Sequence, residues 1–386
     1  MTGVHGKHGS ALIVALWVLT ALIILAAGLS LTARTEVRIA RNYTERIRCR
    51  WAARAAVEAV LLRLKESDDL SSSVLAEGAN GLTLTSDDLE LDMGEAGFSI
   101  VIEDESGRVN VNTVPAEMLE TIFGDSEAAD CIIDWRDADD TTQASGAETE
   151  YYSGLETSYC ARNAPLLTVG ELRLIKGMTG RLAFAGDNTD GLLPVDTFTV
   201  YSYDQNVDAA GGKRINVLTA DKEALTNALG DVLDEKKIDA LVKFISDKKP
   251  KNVAEIIGVA ELSREDIKSI YDKLTVSDEK DIKGLININT ASSTVLAAVP
   301  GLDEETAEEI TAYREENGPY ANVGEMLNIN GLSENVFSTA APLLTARSAV
   351  YRLTASGFMR SGGGPFTITC VADMTGGTLK ILYWQE

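Results

Sequence analysis

Hydrophobic positions fall into three regimes along the chain. From Ser10 to Ala33 there are 24 residues without a charge, long enough to cross a bilayer as a helix. Beyond it, Val37, Ala40, Tyr43, Ile47, Trp51, Ala55, Leu61 and Leu64 recur mostly at three- and four-residue spacing. No glycine stands between Gly28 and Gly78 and no proline precedes Pro115, so the pattern predicts one helix from Ser10 to about Lys65, roughly 84 Å long. Strict alternation then marks strands. Phe98, Ile100 and Ile102 alternate with Ser99, Val101 and Glu103, and Phe198 and Val200 with Thr197, Thr199 and Tyr201. Near the C-terminus Phe366, Ile368, Cys370 and Ala372 alternate with Thr367, Thr369, Val371 and Asp373. Gly376 and Gly377 are then expected to make a two-residue hairpin turn, and Leu379, Ile381 and Tyr383 return the chain. With Val350–Phe358 this predicts an antiparallel meander packed on the long helix.

Between the strand regions a motif repeats. RVNVNT (108–113), RINVLT (214–219) and LININT (285–290) begin 106 and 71 residues apart, each followed by helical periodicity. In the third copy Thr290 is expected to cap a helix running to Val299, Pro300 and Gly301 to turn the chain, and Asp303 to cap a helix carrying Ala307, Ile310 and Tyr313, which Gly318 and Pro319 stop. Second hairpins are expected at 168–178, 252–262 and 326–332.

The formal charge is −24, from 35 Lys plus Arg against 59 Asp plus Glu. That argues against broad attraction to nucleic acid or anionic lipid. The two histidines, His5 and His8, both precede the apolar run. Once that leader is removed, no His-based nucleophile system or His-ligated zinc site can be built. The sequence therefore predicts a protein that is not an enzyme. A carboxylate pair acting on sugars is set aside, because Trp17 and Trp51 lie in the span and stalk and leave too few aromatic platforms. Cys49, Cys131, Cys160 and Cys370 contain no CxxC pair. They allow three pairings as two disulfides, and Cys131 with Cys160, which bracket an acidic loop, is one candidate.

The polar leader MTGVHGKHG, ending in Gly9 ahead of SALIVALWVLTALIILAAG and an amphipathic continuation, resembles a type IV pilin or type II secretion pseudopilin. The resemblance implies cleavage by a prepilin peptidase between Gly9 and Ser10. Members of that family usually carry glutamate at the fifth mature position, where this chain has Val14. Lack of that glutamate resembles the K class of minor pseudopilins and implies a subunit with no neighbour above it. It also implies a single-pass inner-membrane protein with a periplasmic C-terminal part. Counting charges gives the opposite orientation, with Lys7 before the span and Arg34, Arg38, Arg41, Arg46, Arg48, Arg50 and Arg54 after it.

The repeats resemble helix-hairpin-helix modules, which the K class carries as a helical insertion in its pilin domain. The fold expected is α+β: leader 1–9, transmembrane and stalk helix 10–66, first part of a pilin-like sheet 67–113, helical insertion 114–345, and the C-terminal part of the sheet 346–386. The function implied is a non-catalytic subunit at the pseudopilus tip, assembling with other minor pseudopilins through the stripe Val37, Tyr43, Ile47 and Trp51 to initiate the filament and support export. The alternative is an extracytoplasmic helix-hairpin-helix protein that binds or takes up DNA, or a type IV minor pilin. Such hairpins grip phosphate through backbone amides at a helix start, and here that start carries Asp303, Glu304, Glu305, Glu308 and Glu309. No nucleic-acid partner is expected.

The densest cluster of charge is Asp134, Asp137, Asp139, Asp140, Glu148 and Glu150, with Arg136 as the only cation among them. Bringing those carboxylates together demands a counter-cation. Oxygen-only donors suit calcium, though the EF-hand spacing is absent and a solvated acidic loop is the alternative. The K-class resemblance implies calcium on an acidic loop of the insertion. A second, weaker candidate is Asp187, Asn188 and Asp190.

Overall fold

The computed structural model describes residues 8–66, 68–184 and 192–386. Helix α1 runs His8–Glu66 without a break and has two halves of different character. From Leu12 to Thr44 every residue is exposed, and one 18-residue window has a mean hydropathy of 2.8. By length and composition this half can cross a membrane. Farther on, Cys49, Ala52, Ala53, Ala56, Val57, Val60, Leu61 and Leu64 are buried, while Tyr43, Ile47 and Trp51 face away from that contact. The small residues have a purpose. A Cβ placed on Gly357 would lie 1.9 Å from the Cys49 carbonyl oxygen, so strand and helix backbones approach more closely than any side chain there permits.

The strand beneath α1 belongs to a five-stranded sheet: β1 (Leu82–Thr85), β2 (Ala96–Asp104), β3 (Val350–Met359), β4 (Phe366–Asp373) and β5 (Lys380–Gln385). Their order in space is their order in sequence, and every neighbouring pair is antiparallel. Phe98, Ile100, Ile102, Leu353, Ala355, Ile368, Cys370 and Ala372 form one buried face against α1, the period-2 pattern expected of a half-covered sheet. The connection between β4 and β5 is longer than the two-residue turn expected, running from Met374 to Leu379, with Gly376 and Gly377 at φ of 67° and 70°. Helix α2 (Asp68–Glu77) leads from α1 into β1.

Strands β2 and β3 are paired from Ala96↔Met359 to Asp104↔Tyr351. Everything between Asp104 and Val350 is an excursion from one end of that pair, so the sheet is left before the expected border at 113. The excursion has its own hydrophobic core. Thr197–Tyr201, expected to form a sheet strand, is not one. Only Phe198–Thr199 is extended, both residues are buried, and they pair in parallel with Val109–Asn110. The same parallel pair recurs as Ile215–Asn216 with Leu274–Thr275, and Ile286–Asn287 with Leu344–Thr345. Three copies of one module thus close on themselves, each tying its N-x-N-T segment (N-x-L-T in copy two) to a residue pair ending in threonine.

Asparagine makes the motif work. Asn110, Asn216 and Asn287 each accept the amide of the residue two positions on, at 3.0 Å in all three copies, which bends the strand into the turn. The second asparagine clamps a distant segment: Asn112 Oδ1 accepts from Leu166 N at 2.7 Å and Asn289 Oδ1 from Tyr320 N at 2.8 Å. In copy two that position is Leu218, and the residue matching Leu166 and Tyr320 is Pro250, which has no N–H to give. Both halves of the clamp are lost together. After each clamp a glutamate closes a turn by accepting a backbone amide four residues back, Leu167 N to Glu171, Lys251 N to Glu255 and Ala321 N to Glu325.

Asp303 caps its helix, Glu304–Asn317, as expected. Thr290 does not cap the preceding one. Ser292 accepts from Val295 N instead, because the Thr290 hydroxyl donates to Asp104 at 2.6 Å. That contact is part of a buried junction between sheet and insertion. Asp104 also accepts from Asn287 Nδ2 at 2.8 Å, and burial pushes its carboxyl up to about 6. Its neighbour Glu105 is fully buried yet ionised. Burial opposes the charge, but Arg352 at 2.5 Å and the nearby Arg108 hold its carboxyl below the usual range.

Candidate metal centre

Helix α3 (Ala116–Phe123) and helix α4 (Ser126–Arg136) form the first hairpin, turned by Gly124 with φ 75°. Asp125 caps α4 by accepting from Ala128 N. The amphipathic period of α4 buries Ala128, Cys131, Ile132 and Trp135, and Asp134 falls on the buried side with them. The chain then loops out, and Ala147 and Glu148 re-enter the interior just before helix α5 (Thr149–Ser153).

This fold brings one carboxylate oxygen each from Asp134, Asp137 and Glu148 within 4.8 Å of one another. Asp134 is fully buried and accepts from Gln143 N at 3.1 Å. Glu148 is 3% exposed, and neither of its carboxylate oxygens has a hydrogen-bond partner. Burial first, then Asp134 and Asp137, push the Glu148 carboxyl up to about 7. Burial also raises those of Asp134 and Asp137, helped by neighbouring carboxylates. A cradle encloses the group: a Cβ on Gly146 would sit 1.9 Å from Asp134 Oδ2, so only glycine lets the loop lie on that carboxylate.

The other expected donors are placed differently. Asp139 and Asp140 are exposed; Asp139 accepts from Thr141 N at 2.7 Å and Asp140 from Asn163 Nδ2 at 2.9 Å. Glu150 is exposed in the first turn of α5. Asp187, Asn188 and Asp190 lie outside the described residues. Arg136 makes no ion pair with the cluster: its guanidinium turns inward and donates to the Val111 and Val114 carbonyls, leaving only a weaker attraction to Asp137. Nor do Cys131 and Cys160 close the loop with a disulfide. Cys131 is buried with its thiol on the Ser145 carbonyl at 3.6 Å, and Cys160 is exposed; all four cysteines are free thiols. Gly9 and Ser10 lie in the first turn of α1.

Residues that sequence spacing did not single out complete the loop. Asp130, one helical turn before Asp134, accepts from Ser145 N at 2.9 Å; its i, i+4 relation to Asp134 was a readable signal. Lys176 donates to the Ser145 carbonyl at 3.2 Å and pairs with Glu127 at 3.3 Å. Asn163, at φ 46°, straps Asp139 and Asp140. Lys176 and Asn163 come from the far side of the module, and nothing local announces them. Chemically the site is three hard oxygen donors, one of them a carboxylate able to bind through both oxygens. It suits a divalent cation such as calcium.

Residues 108–184, which include this loop, match the family model "Type II secretion system (T2SS), protein K", and residues 282–345 match "Helix-hairpin-helix motif". The "Type II secretion system protein K" of Aeromonas hydrophila is 25% identical over 209 residues, 47% of this chain and 62% of that protein. The protein of the same name from Klebsiella pneumoniae is 25% identical over 196 residues, 46% of this chain and 60% of its own. The matched stretch is thus about 60% of the length of these relatives. "ComE operon protein 1" of Bacillus subtilis is 35% identical over 63 residues, 16% of this chain and 31% of that protein. A chain in the crystal structure of the GspK-GspI-GspJ complex from enterotoxigenic Escherichia coli overlays at a TM-score of 0.48 and 12% identity, covering 90% of this chain and 98% of that one. The metal-loop module thus matches the protein K model, and nearly half of the chain aligns at 25% identity with two proteins named type II secretion system protein K.

Proposed function

We propose that this chain is a non-catalytic minor pseudopilin at the tip of the type II secretion pseudopilus, where it assembles with other minor pseudopilins to initiate the filament and support export. Prepilin peptidase cleaves it between Gly9 and Ser10, and α1 anchors it as a single pass in the inner membrane with the body in the periplasm. The observation that carries this reading is the two-sided character of α1. One face of its second half is consumed by the sheet, while Val37, Tyr43, Ile47 and Trp51 stay 37–69% exposed on the other. An apolar stripe continuous with a membrane span fits the neighbouring α1-type helices of sister subunits. The insertion, 105–349, leaves the sheet on one side and is too large to repeat along a thin filament, which favours a terminal position.

Co-purification of the soluble bodies of the minor pseudopilins tests the assembly. A heteromer that Tyr43→Glu with Trp51→Glu dissolves is expected, and a homopolymer of this chain alone would overturn the tip assignment. Sequencing of the mature N-terminus should begin at Ser10. The hairpins favour no nucleic-acid reading, because Asp303, Glu304, Glu305, Glu308 and Glu309 are all exposed at the helix start that would meet phosphate.

The acidic loop is proposed to hold calcium, with the buried Asp134 and Glu148 and the half-buried Asp137 as donors and Asp139 and Asp140 flanking them. The two unpartnered Glu148 oxygens support this, because a buried ionised carboxylate without donors needs a cation to stay charged.

A further inference from the structure

We propose that Arg34, Arg38 and Arg41 form a binding site for anionic phospholipid headgroups at the membrane surface where α1 emerges; the proposal rests on the anchoring part of the reading above, not on the tip assignment. The uncharged stretch Ser10–Ala33 is about 36 Å long as a helix, against about 30 Å of hydrocarbon. Arg34 therefore emerges within the headgroup layer. Arg38 stands about 6 Å and Arg41 about 10 Å farther along the axis, which spans the depth of the lipid phosphates.

Spacings of four and three residues put the three arginines on one helix face. Glu36 points to the opposite side, at two residues from Arg34 and Arg38. All three arginines are exposed. Among the described residues Arg34 and Arg38 make no ion pair or hydrogen bond, and Arg41 has only the adjacent Glu45 at 2.7 Å. Farther along the helix the arginines are engaged: Arg48 with Glu95, Arg50 with Glu386, Arg54 with Glu58. In a chain with a charge of −24, cations left unpaired just beyond the span are matched by an external anion. Guanidinium groups bind phosphate in a two-pronged geometry, and their stems reach along the helix to place the heads in the interface. A lipid with net negative charge is favoured, because the phosphate of a zwitterionic lipid is already neutralised by its own amine.

The test uses the full chain in detergent micelles containing equal amounts of phosphatidylglycerol and phosphatidylcholine, with retained lipid read by native mass spectrometry. The wild type should retain phosphatidylglycerol preferentially. At about fivefold per arginine near an anionic surface, R34Q/R38Q should lower that preference about 25-fold, while R54Q, about 30 Å along the helix, should leave it unchanged. Glycerol 3-phosphate at millimolar concentration should not displace the lipid; displacement would mark a soluble phosphate site and overturn the proposal. Equal retention of both lipids, or an unchanged preference in R34Q/R38Q, would also overturn it. The micelle assay reads the same result whichever side of the membrane Arg34 faces, so a topology reporter fused after Glu386 fails or succeeds independently.

Discussion

Removing the cation should make the stability of the body depend on pH in a direction fixed by Glu148. With no metal, its carboxyl is raised from 4.5 to about 7, so folding disfavours the charged form. The stability of the metal-free protein is then fully present below pH 4.5 and declines as pH rises toward 7, by at most about 3 kcal/mol for this group. Asp134 and Asp137 are shifted upward as well and push the same way. Calcium reverses the sign, since it binds the deprotonated donors and adds about 2.7 kcal/mol when present at 100 times its dissociation constant. At about 2 °C per kcal/mol for a body of this size, chelator should lower the melting temperature by roughly 5 °C or more at pH 7.5, and by much less at pH 5. Glu148→Gln keeps the shape and removes the charge. In chelator at pH 7.5 it should melt above wild type, and calcium should no longer raise it. Thermal melts from pH 4.5 to 8, with calcium and with chelator, decide the matter. Parallel curves, or a Glu148→Gln variant that still responds fully to calcium, would refute the reasoning.

Asn289→Ala removes bonds to Tyr320 N, Tyr320 O and Ala346 O and should cost about 2–4 kcal/mol by denaturant unfolding, whereas Leu218→Asn should recover much less, because Pro250 keeps a carbonyl to accept but offers no amide. Arg352→Met leaves Glu105 buried without its ion pair and should cost about 3–5 kcal/mol at neutral pH; because Glu105 is depressed in the wild type, part of the difference should vanish as pH falls through the acidic range, and a pH-independent loss would contradict the pairing. Gly357→Ala drives a methyl into the Cys49 carbonyl and should destabilise by several kcal/mol, read as loss of the soluble body. Gly9→Ala should leave the leader attached, seen as a heavier band and an unprocessed N-terminus.

Local patterns were legible and closures over distance were not. The α1 span, the β2 and β4 alternation, the Gly376–Gly377 turn and the N-x-N-T repeats each rest on residues within a few positions of one another. Phe198 and Thr199 misled because two extended residues and a buried polar contact imitate the alternation of a sheet strand; Thr199 is buried because it donates to Glu105. Arg136, the one cation among the acids in sequence, donates in space to the Val111 and Val114 carbonyls, a contact over more than twenty residues that no local pattern announces. Sequence alone favours Asp134, Asp137, Asp139, Asp140 and Glu150 as the donors and leaves out Glu148, which the fold buries beside Asp134 and Asp137. No spacing rule distinguishes it from Glu150, two residues away and exposed.

The position of the candidate metal loop follows from what the first repeat lacks. In copies two and three the second hairpin is closed by a helix, Arg264–Ile270 and Glu334–Ala340, each capped by serine. Among the described residues copy one has no α-helix between its turn at Val169–Leu174 and Phe198–Thr199; instead it spends its extra length on the excursion from Asp137 to Cys160. That excursion reaches across to do the missing helix's work. Tyr159 donates to the Leu174 carbonyl at 2.7 Å, Tyr152 accepts from Lys176 N at 3.2 Å, and Lys176 Nζ returns to the Ser145 carbonyl. Trp135 packs edge-on against Tyr152 with centroids 5.1 Å apart, fixing the excursion to α4. A long loop holds such contacts only at an entropic cost that a helix largely avoids. A cation shared by Asp134 and Asp137 at the loop's start and Glu148 near its return would pin both ends, so its removal should loosen the second hairpin of copy one while copies two and three stay closed. Hydrogen exchange at Leu172–Met178, compared with Ile256–Leu262 and Met326–Leu332, measures this: chelator should speed exchange in the first segment alone, and uniform loosening of all three would show that the loop is not what holds the first hairpin.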